Sequence, residues 1–384
     1  MPSALLLSDI NTRASVACLR SLTRKAVPVW CVTSGRSDGF VRFTRYRSRS
    51  ALDARYRSSD AQAFRESLLS IAARIGEYVL YPTGERVLRW AVACRDALAA
   101  SGILLPAVDL ATYECVSDKQ SFVALAGRHG LAVPKEHTEI PTRFARRFVV
   151  KPAKGVFDRA DVLTSPCLIE SEASLDLLRR RGLDPRAHFI QEYIEGPSYY
   201  YCALYDRGRR RLHFTQKTLT QQPDGRSVVR AVPSRLPERV ENSIDSMMEA
   251  LLWQGLMMIE VKESEGLYYA IECNPRIWGP LQLAVDNGFD FPWALWQLAT
   301  GQPVDPEPTS AARRGYFWTA GYLHGRLVGR RTRTAFQRQP AEDHVRFRDV
   351  WLRVDTFAYF FVELAQAALA LCRSGVRSLR KRPA

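Results

Sequence analysis

The sequence predicts an α/β fold spread over two or three domains, on three observations. Through the first hundred residues, short apolar runs alternate with helix-patterned segments, as in strand–helix–strand units. Further on, two apolar, partly β-branched and aromatic runs, 256–262 and 267–272, flank the polar stretch Glu263-Ser264-Glu265-Gly266 and read as a β-hairpin with a four-residue turn. Finally, 384 residues with 46% hydrophobic content and no low-complexity tract suffice for more than one core.

In chain order, residues 4–8 form a strand, 13–24 a helix and 27–33 a second strand. A second round follows, with a helix over 61–75, a strand over 78–81, a helix from Glu85 to about residue 100 and a short strand at 103–105. Asp9, Asn11, Thr83 and Glu85 lie where parallel strands end and helices begin, the edge that faces a crevice in such folds. Each is a candidate substrate contact, although ordinary caps and turns account for them more simply. Between the two rounds, Arg42, Arg45, Arg47, Arg49, Arg55 and Arg57 interleave with Phe43, Tyr46 and Tyr56. Interleaved arginine and aromatics can hold a nucleic-acid strand, but a solvated loop or edge strand explains them better, and no nucleic-acid-binding signature occurs.

Ser117-Asp118-Lys119-Gln120 opens a helix that runs to about His129, with Gly130 as its stop. Residues 148–152 read as a buried strand delivering Lys151 at its end. An antiparallel pair is expected at 199–204 and 211–215, then a helix over 237–253, a helix over 292–299 and a proline-rich linker at 302–308. Residues 356–372 form a strongly apolar helix interrupted by Glu363 and Gln366, short of the ~20 residues of a bilayer span. A helix docked on the body is expected there, with interfacial attachment to anionic lipid as the alternative.

The net charge is +15, and residues 313–384 hold 15 Arg or Lys against 5 Asp or Glu. Eight cysteines occur without a Cys-x-x-Cys pair, so neither a zinc site nor a disulfide framework is suggested and a reducing cytoplasm fits. The apolar run at 4–7 is short and followed at once by Ser8, Asp9 and Asn11, so it reads as a strand rather than a secretory leader.

The chemistry-bearing stretch is the hairpin. Glu260 lies inside its first strand and Glu272 at the end of its second, and an extended chain turns Glu272, Asn274 and Arg276 to one side. Two carboxylates and an amide carbonyl are hard oxygen donors of the kind that hold magnesium jointly with nucleotide phosphates. An arginine just beyond can clamp a phosphate or carboxylate. Whether the carboxylates meet depends on the register that the turn sets.

Glu260, the twelve-residue step to Glu272, and Asn274 and Arg276 within Ile-Glu-Cys-Asn-Pro-Arg resemble the metal-binding end of the ATP-grasp superfamily, which includes biotin carboxylase, carbamoyl-phosphate synthetase and D-alanine–D-alanine ligase. Trp278-Gly279 and the segment from Gly288 to Pro292 are similar to its carbamoyl-phosphate-synthetase-like branch of carboxylate-amine ligases. The resemblance covers roughly residues 1–310. It implies an N-terminal Rossmann-like pre-ATP-grasp α/β domain over 1–112, then a two-lobed α+β ATP-grasp fold. The small lobe would span 113–190, the large lobe with the metal site 191–310, and a basic extension with the apolar helix 311–384.

By the same resemblance Glu260, Glu272 and Asn274 bind magnesium, with manganese as an alternative, and Lys119 and Lys151 bind the phosphates of ATP. Arg276 and Lys151 serve the reaction itself. Gln191, Glu192 and Ile194 form the hinge that reads adenine, Ser198 stands where a ribose-binding glutamate is usual, and Lys217 meets a phosphate or the second substrate's carboxylate. After Lys151, Gly155 stands alone where several glycines are usual. The implied activity is ATP-dependent ligation of a small carboxylate to an amine through an acyl phosphate, releasing ADP and phosphate. The alternative is an ATP-binding regulatory or membrane-tethered protein that keeps the fold without the turnover.

Overall fold

Strand β1 (Ser3–Leu7) sends Leu5 and Leu7 to one face of a parallel sheet and Ala4 and Leu6 to the other. With β2 (Val29–Thr33), β3 (Ala51–Arg55), β4 (Tyr78–Pro82) and β5 (Ile103–Leu104) it forms the order β3-β2-β1-β4-β5. Helix Thr12–Arg24 covers the Ala4 face and helix Ala61–Ile75 the Leu5 face. β1 and β4 are therefore buried at every position, as parallel strands between two helical layers must be. This is a computed structural model that describes every residue except 36–38, 138, 153–165, 182–187, 223–226, 311, 333–344 and 380–384.

The helix expected from Glu85 to about residue 100 is broken at Cys94 into Glu85–Ala93 and Arg95–Ala99. The arginine-rich piece folds as a 3-10 turn Gly39–Phe43, a helical turn Arg47–Ser50 and the edge strand β3, with all six arginines exposed.

A second, antiparallel sheet contains β6 (Glu136–His137), β7 (Phe148–Pro152), β8 (Cys167–Ile169) and β9 (His188–Glu192) in the order β6-β9-β7-β8. Helix Glu172–Arg181 closes its core through Leu175 and Leu178.

The third sheet has seven strands: β10 (Ser198–Asp206), β11 (Arg209–Gln221), β12 (Val228–Ser234), β13 (Gly255–Ser264), β14 (Leu267–Asn274), β15 (Arg314–Phe317) and β16 (Arg346–Asp349). Their order is β14-β13-β10-β11-β12-β15-β16, antiparallel except between β15 and β16. One face, with Tyr201, Met257, Ile259 and Val261, packs on helices Leu110–Ser117, Lys119–Arg128 and Glu238–Ala250. The other face, with Tyr200, Phe214 and Met258, packs against helices Thr12–Arg24, Leu281–Asp286 and Phe291–Ala299. The segment after residue 310 thus adds two strands to this sheet before its apolar helix, Phe357–Leu379, begins. Among the described residues no helix is long and apolar enough to cross a membrane.

Candidate active site

The hairpin turn has two residues, Glu265 and Gly266, rather than the four read from the sequence. Their φ angles of +52° and +76° are both left-handed, as a type I′ turn requires to match the twist of the strands. From Ser264 opposite Leu267, regular pairing would set Glu260 against Ile271 and Glu272 against Ile259, putting the two acids on opposite faces. The register instead shifts between Glu260 and Val261, so Ile271 is an extra residue and Glu260 pairs directly with Glu272. The bulge re-aims everything after it, placing Cys273 opposite Ile259 and Asn274 opposite Met258.

Lys119 begins helix Lys119–Arg128, whose N-cap Asp118 accepts from the Ser121 amide at 2.8 Å. Its ammonium forms an ion pair with Glu272 Oε2, the carboxylate of the sheet's edge strand. Asn274 Nδ2 donates to Glu272 Oε1 at 2.9 Å, and Arg276 Nη2 donates to Asn274 Oδ1 at 3.1 Å. Ser198 Oγ donates to Glu260 Oε1 at 2.8 Å. Burial lowers the Lys119 pKa, with the Glu85 and Glu260 carboxylates opposing the shift.

The small sheet supplies Lys151 from β7. It is 6% exposed and donates to Gln191 Oε1 of β9 at 2.8 Å. Burial, followed by repulsion from Lys119, lowers its pKa to about 7, with Glu260 opposing. Gln191 Nε2 is buried and has no hydrogen-bond partner among the described residues. At the hinge, the Glu192 backbone N–H donates to the Lys135 carbonyl and its carboxylate accepts from the Lys135 amide, both at 2.9 Å. Lys262 Nζ donates to the Ile194 carbonyl at 2.9 Å and stands 4.6 Å from the Tyr193 ring centroid. Gly196, with φ +140°, lies so near the Glu263 carbonyl that any Cβ there would collide with it.

Sequence reasoning missed Lys262, although it lies two residues beyond Glu260 and so on the same face of β13. Lys217 is the opposite case. It pairs with Tyr199, its ammonium 5.7 Å from that ring centroid, on the face turned away from Glu260. The residue in the row Glu272–Glu260–Tyr200 is its neighbour Gln216, fully buried with neither amide atom hydrogen-bonded among the described residues. Asp9 accepts from Tyr56 Oη at 2.6 Å and from the Ser34 amide at 2.8 Å, Asn11 caps helix Thr12–Arg24, and Thr83 Oγ1 donates to the Leu7 carbonyl at 2.7 Å. These three serve local structure, while Glu85 lies within electrostatic reach of Lys119. The glycine-poor segment 153–159 lies outside the described residues.

No protein-family model matches the sequence, and no curated protein sequence matches it. Solved structures do. The biotin carboxylase domain of Hydrogenobacter thermophilus 2-oxoglutarate carboxylase, in complex with MgADP, ADP and bicarbonate, is 15% identical with a TM-score of 0.60, covering 82% of this chain and 73% of that one. Biotin carboxylase from Campylobacter jejuni, in complex with β,γ-ATP, is 14% identical at TM-score 0.59, over 82% and 74% of the two chains. L-amino acid ligase from Bacillus licheniformis is 14% identical at TM-score 0.57, over 78% and 74%. The chain has the ATP-grasp fold. A parallel N-terminal sheet followed by two further, mostly antiparallel sheets agrees with the α/β and α+β fold class that the resemblance implied.

Glu260 and Glu272 face each other with the Asn274 amide alongside, a hard-oxygen set that fits magnesium. Among the described residues no three His, Cys, Asp or Glu side chains converge, so oxygens from phosphate or water would have to complete the shell. Four basic side chains, Lys119, Lys151, Lys262 and Arg276, gather around these carboxylates.

Proposed function

We propose that the chain is an ADP-forming, ATP-dependent carboxylate-amine ligase, its substrates a small carboxylate and an amine. The observation that carries this reading is the pairing of Glu260 with Glu272 across the Ile271 bulge, beside Lys119 and near Lys151. The fold's likeness to biotin carboxylase and L-amino acid ligase supports it.

In this reading Glu260, Glu272 and Asn274 hold magnesium, which when bound neutralises charge on the phosphate oxygens. With Glu272 engaged by the cation, Lys119 would be free to pair with a phosphate instead. Lys151, buried beside Gln191, holds a second phosphate. The hinge backbone at Glu192 and Ile194 reads adenine with Gln191 as a side-chain contact, and Ser198 orients Glu260 rather than reading ribose. Gln216 takes the place on this face that the sequence assigned to Lys217.

A substrate carboxylate oxygen attacks the γ-phosphorus and ADP leaves. The amine then attacks the acyl carbon, phosphate leaves and the amine loses a proton. Charge grows on the phosphoryl oxygens in the first step, and fixed cations stabilise it without reorganising. Arg276, which donates to Asn274, meets the acyl phosphate in this reading. Free thiols at Cys18, Cys31, Cys94, Cys115, Cys167, Cys202 and Cys273 fit a reducing cytoplasm.

The test is turnover of Glu272→Gln against wild type with magnesium-ATP, an acid pool and an amine pool. A loss of about 10²-fold or more with folding retained is expected. Unchanged ADP release would overturn the metal assignment.

A further inference from the structure

Two features with no part in this chemistry meet in space: the arginine- and aromatic-rich piece near the N terminus and the apolar helix near the C terminus. Tyr359 packs edge-on against Phe40 at 5.9 Å and lies 6.3 Å from Phe43, and the Arg45 N–H donates to the Asp355 carbonyl at 3.0 Å. Helix Phe357–Leu379 turns Tyr359 and Glu363 toward the body, where Trp318 Nε1 donates to Glu363 Oε1 at 3.0 Å.

Among the described residues its other side carries Phe357, Phe361 and Leu369, exposed by 55%, 54% and 58%. At about 100° per residue the three fall within about 120° of one another, and Val354, 80% exposed, extends the patch. A soluble protein rarely leaves a helix apolar on both sides. Arg42, Arg45, Arg47 and Arg49 are exposed on the same arginine-rich piece, which meets the start of this helix through Phe40, Phe43 and the Arg45 backbone. Arg45 and Arg47 line an open cleft of about 500 Å³ with Thr44, Ser48 and one carboxylate, Asp53.

We propose that this face lies on an anionic phospholipid surface, with Phe357, Phe361 and Leu369 entering the interface and Arg45 and Arg47 receiving a lipid phosphate in the cleft. Apolar side chains beside guanidinium groups match the two layers of such a surface, acyl boundary and headgroup phosphate. Guanidinium also matches phosphate by its planar fork. A second copy of the chain is the less suitable occupant, because a two-fold contact would bring two such arginine sets together. The attachment is peripheral and does not depend on the ligase reading.

The experiment is co-flotation of the full chain with vesicles of phosphatidylcholine alone or with about 30% phosphatidylglycerol. Binding to the anionic vesicles should exceed binding to the neutral ones by about tenfold or more and fall with salt. Phe357→Ser with Phe361→Ser, and separately Arg45→Ser with Arg47→Ser, should each weaken it by about tenfold, with ATP affinity and thermal unfolding unchanged. Should the phenylalanine pair fail to fold, the exposed arginine pair decides. Equal binding to both vesicle types, or undiminished binding by the arginine variant, overturns the proposal. So does a dimer split by the phenylalanine variant without vesicle binding, or an oligonucleotide bound in place of vesicles.

Discussion

Glu260 and Glu272 face each other across β13 and β14 because Ile271 adds one residue to its strand. Deleting Ile271 should remove the bulge yet leave Glu272 opposite Glu260, because the ladder from Val261 and Ala270 then continues unbroken. Magnesium-dependent turnover should stay within about tenfold of wild type, whereas Glu260→Gln should lower it by about 10²-fold or more with circular dichroism unchanged. A deletion variant as inactive as Glu260→Gln would show that the bulge itself, and not the shared face alone, is needed.

Lys119 and a divalent cation compete for Glu272 in this account. Lys119→Met should raise magnesium affinity in the absence of nucleotide, because the internal counter-charge is gone, and lower ATP affinity by about tenfold or more. Thermal shift with magnesium alone, then calorimetry with ATP, separates the two effects. A parallel loss of both affinities would contradict the exchange.

Lys151 has a pKa lowered to about 7, chiefly by burial. The unfolded chain holds that proton up to about 10.4, so between these values U binds more protons than N and stability rises with pH through the window. An anionic phosphate restores the charge, so ATP binding takes up a proton above neutrality and affinity weakens as pH rises from about 7, by at most about tenfold per unit. Calorimetry in buffers of different ionisation enthalpy reads the uptake directly. Lys151→Met should abolish it.

The hairpin and the alternating N-terminal strands were legible because local patterning sets them, through apolar runs, caps and a glycine turn. The bulge was not. Ile271 continues an unbroken apolar pattern, and only pairing with β13 shows it to be the extra residue. Lys217 was misplaced for a related reason. The resemblance calls for a basic residue at that point, but the register of β11 against β10 and β13 puts Gln216, not Lys217, on the face of Glu260. β15 and β16 are four residues each and far apart in sequence, and nothing local announces that they pair.

Arg20 fastens the C-terminal segment to the body. It is 4% exposed and donates to Asp355 Oδ2 at 2.6 Å, Gln282 Oε1 at 2.9 Å, the Val350 carbonyl at 2.8 Å and Thr356 Oγ1 at 2.6 Å. Arg20→Met strands Asp355 and several buried acceptors, and should cost about 3–5 kcal/mol in urea unfolding. A cost under about 1 kcal/mol would mean that the segment is held by apolar packing alone.

The type I′ turn makes a smaller, separable prediction. Glu265 adopts φ +52° without being glycine, so Glu265→Gly should stabilise the hairpin or leave it unchanged to within about 1 kcal/mol, and Gly266→Val should destabilise it by ~1–2 kcal/mol. Denaturant midpoints at constant slope check both.

The most direct test of the central claim is a single incubation of the purified protein with magnesium-ATP and pooled small acids and amines, in which ADP, AMP and new masses are resolved together. The account predicts ADP and phosphate in step with a new mass equal to acid plus amine less water, all lost in Glu272→Gln. AMP with pyrophosphate would overturn the acyl-phosphate mechanism, and ATP bound without any new mass across the pools would contradict the ligase reading.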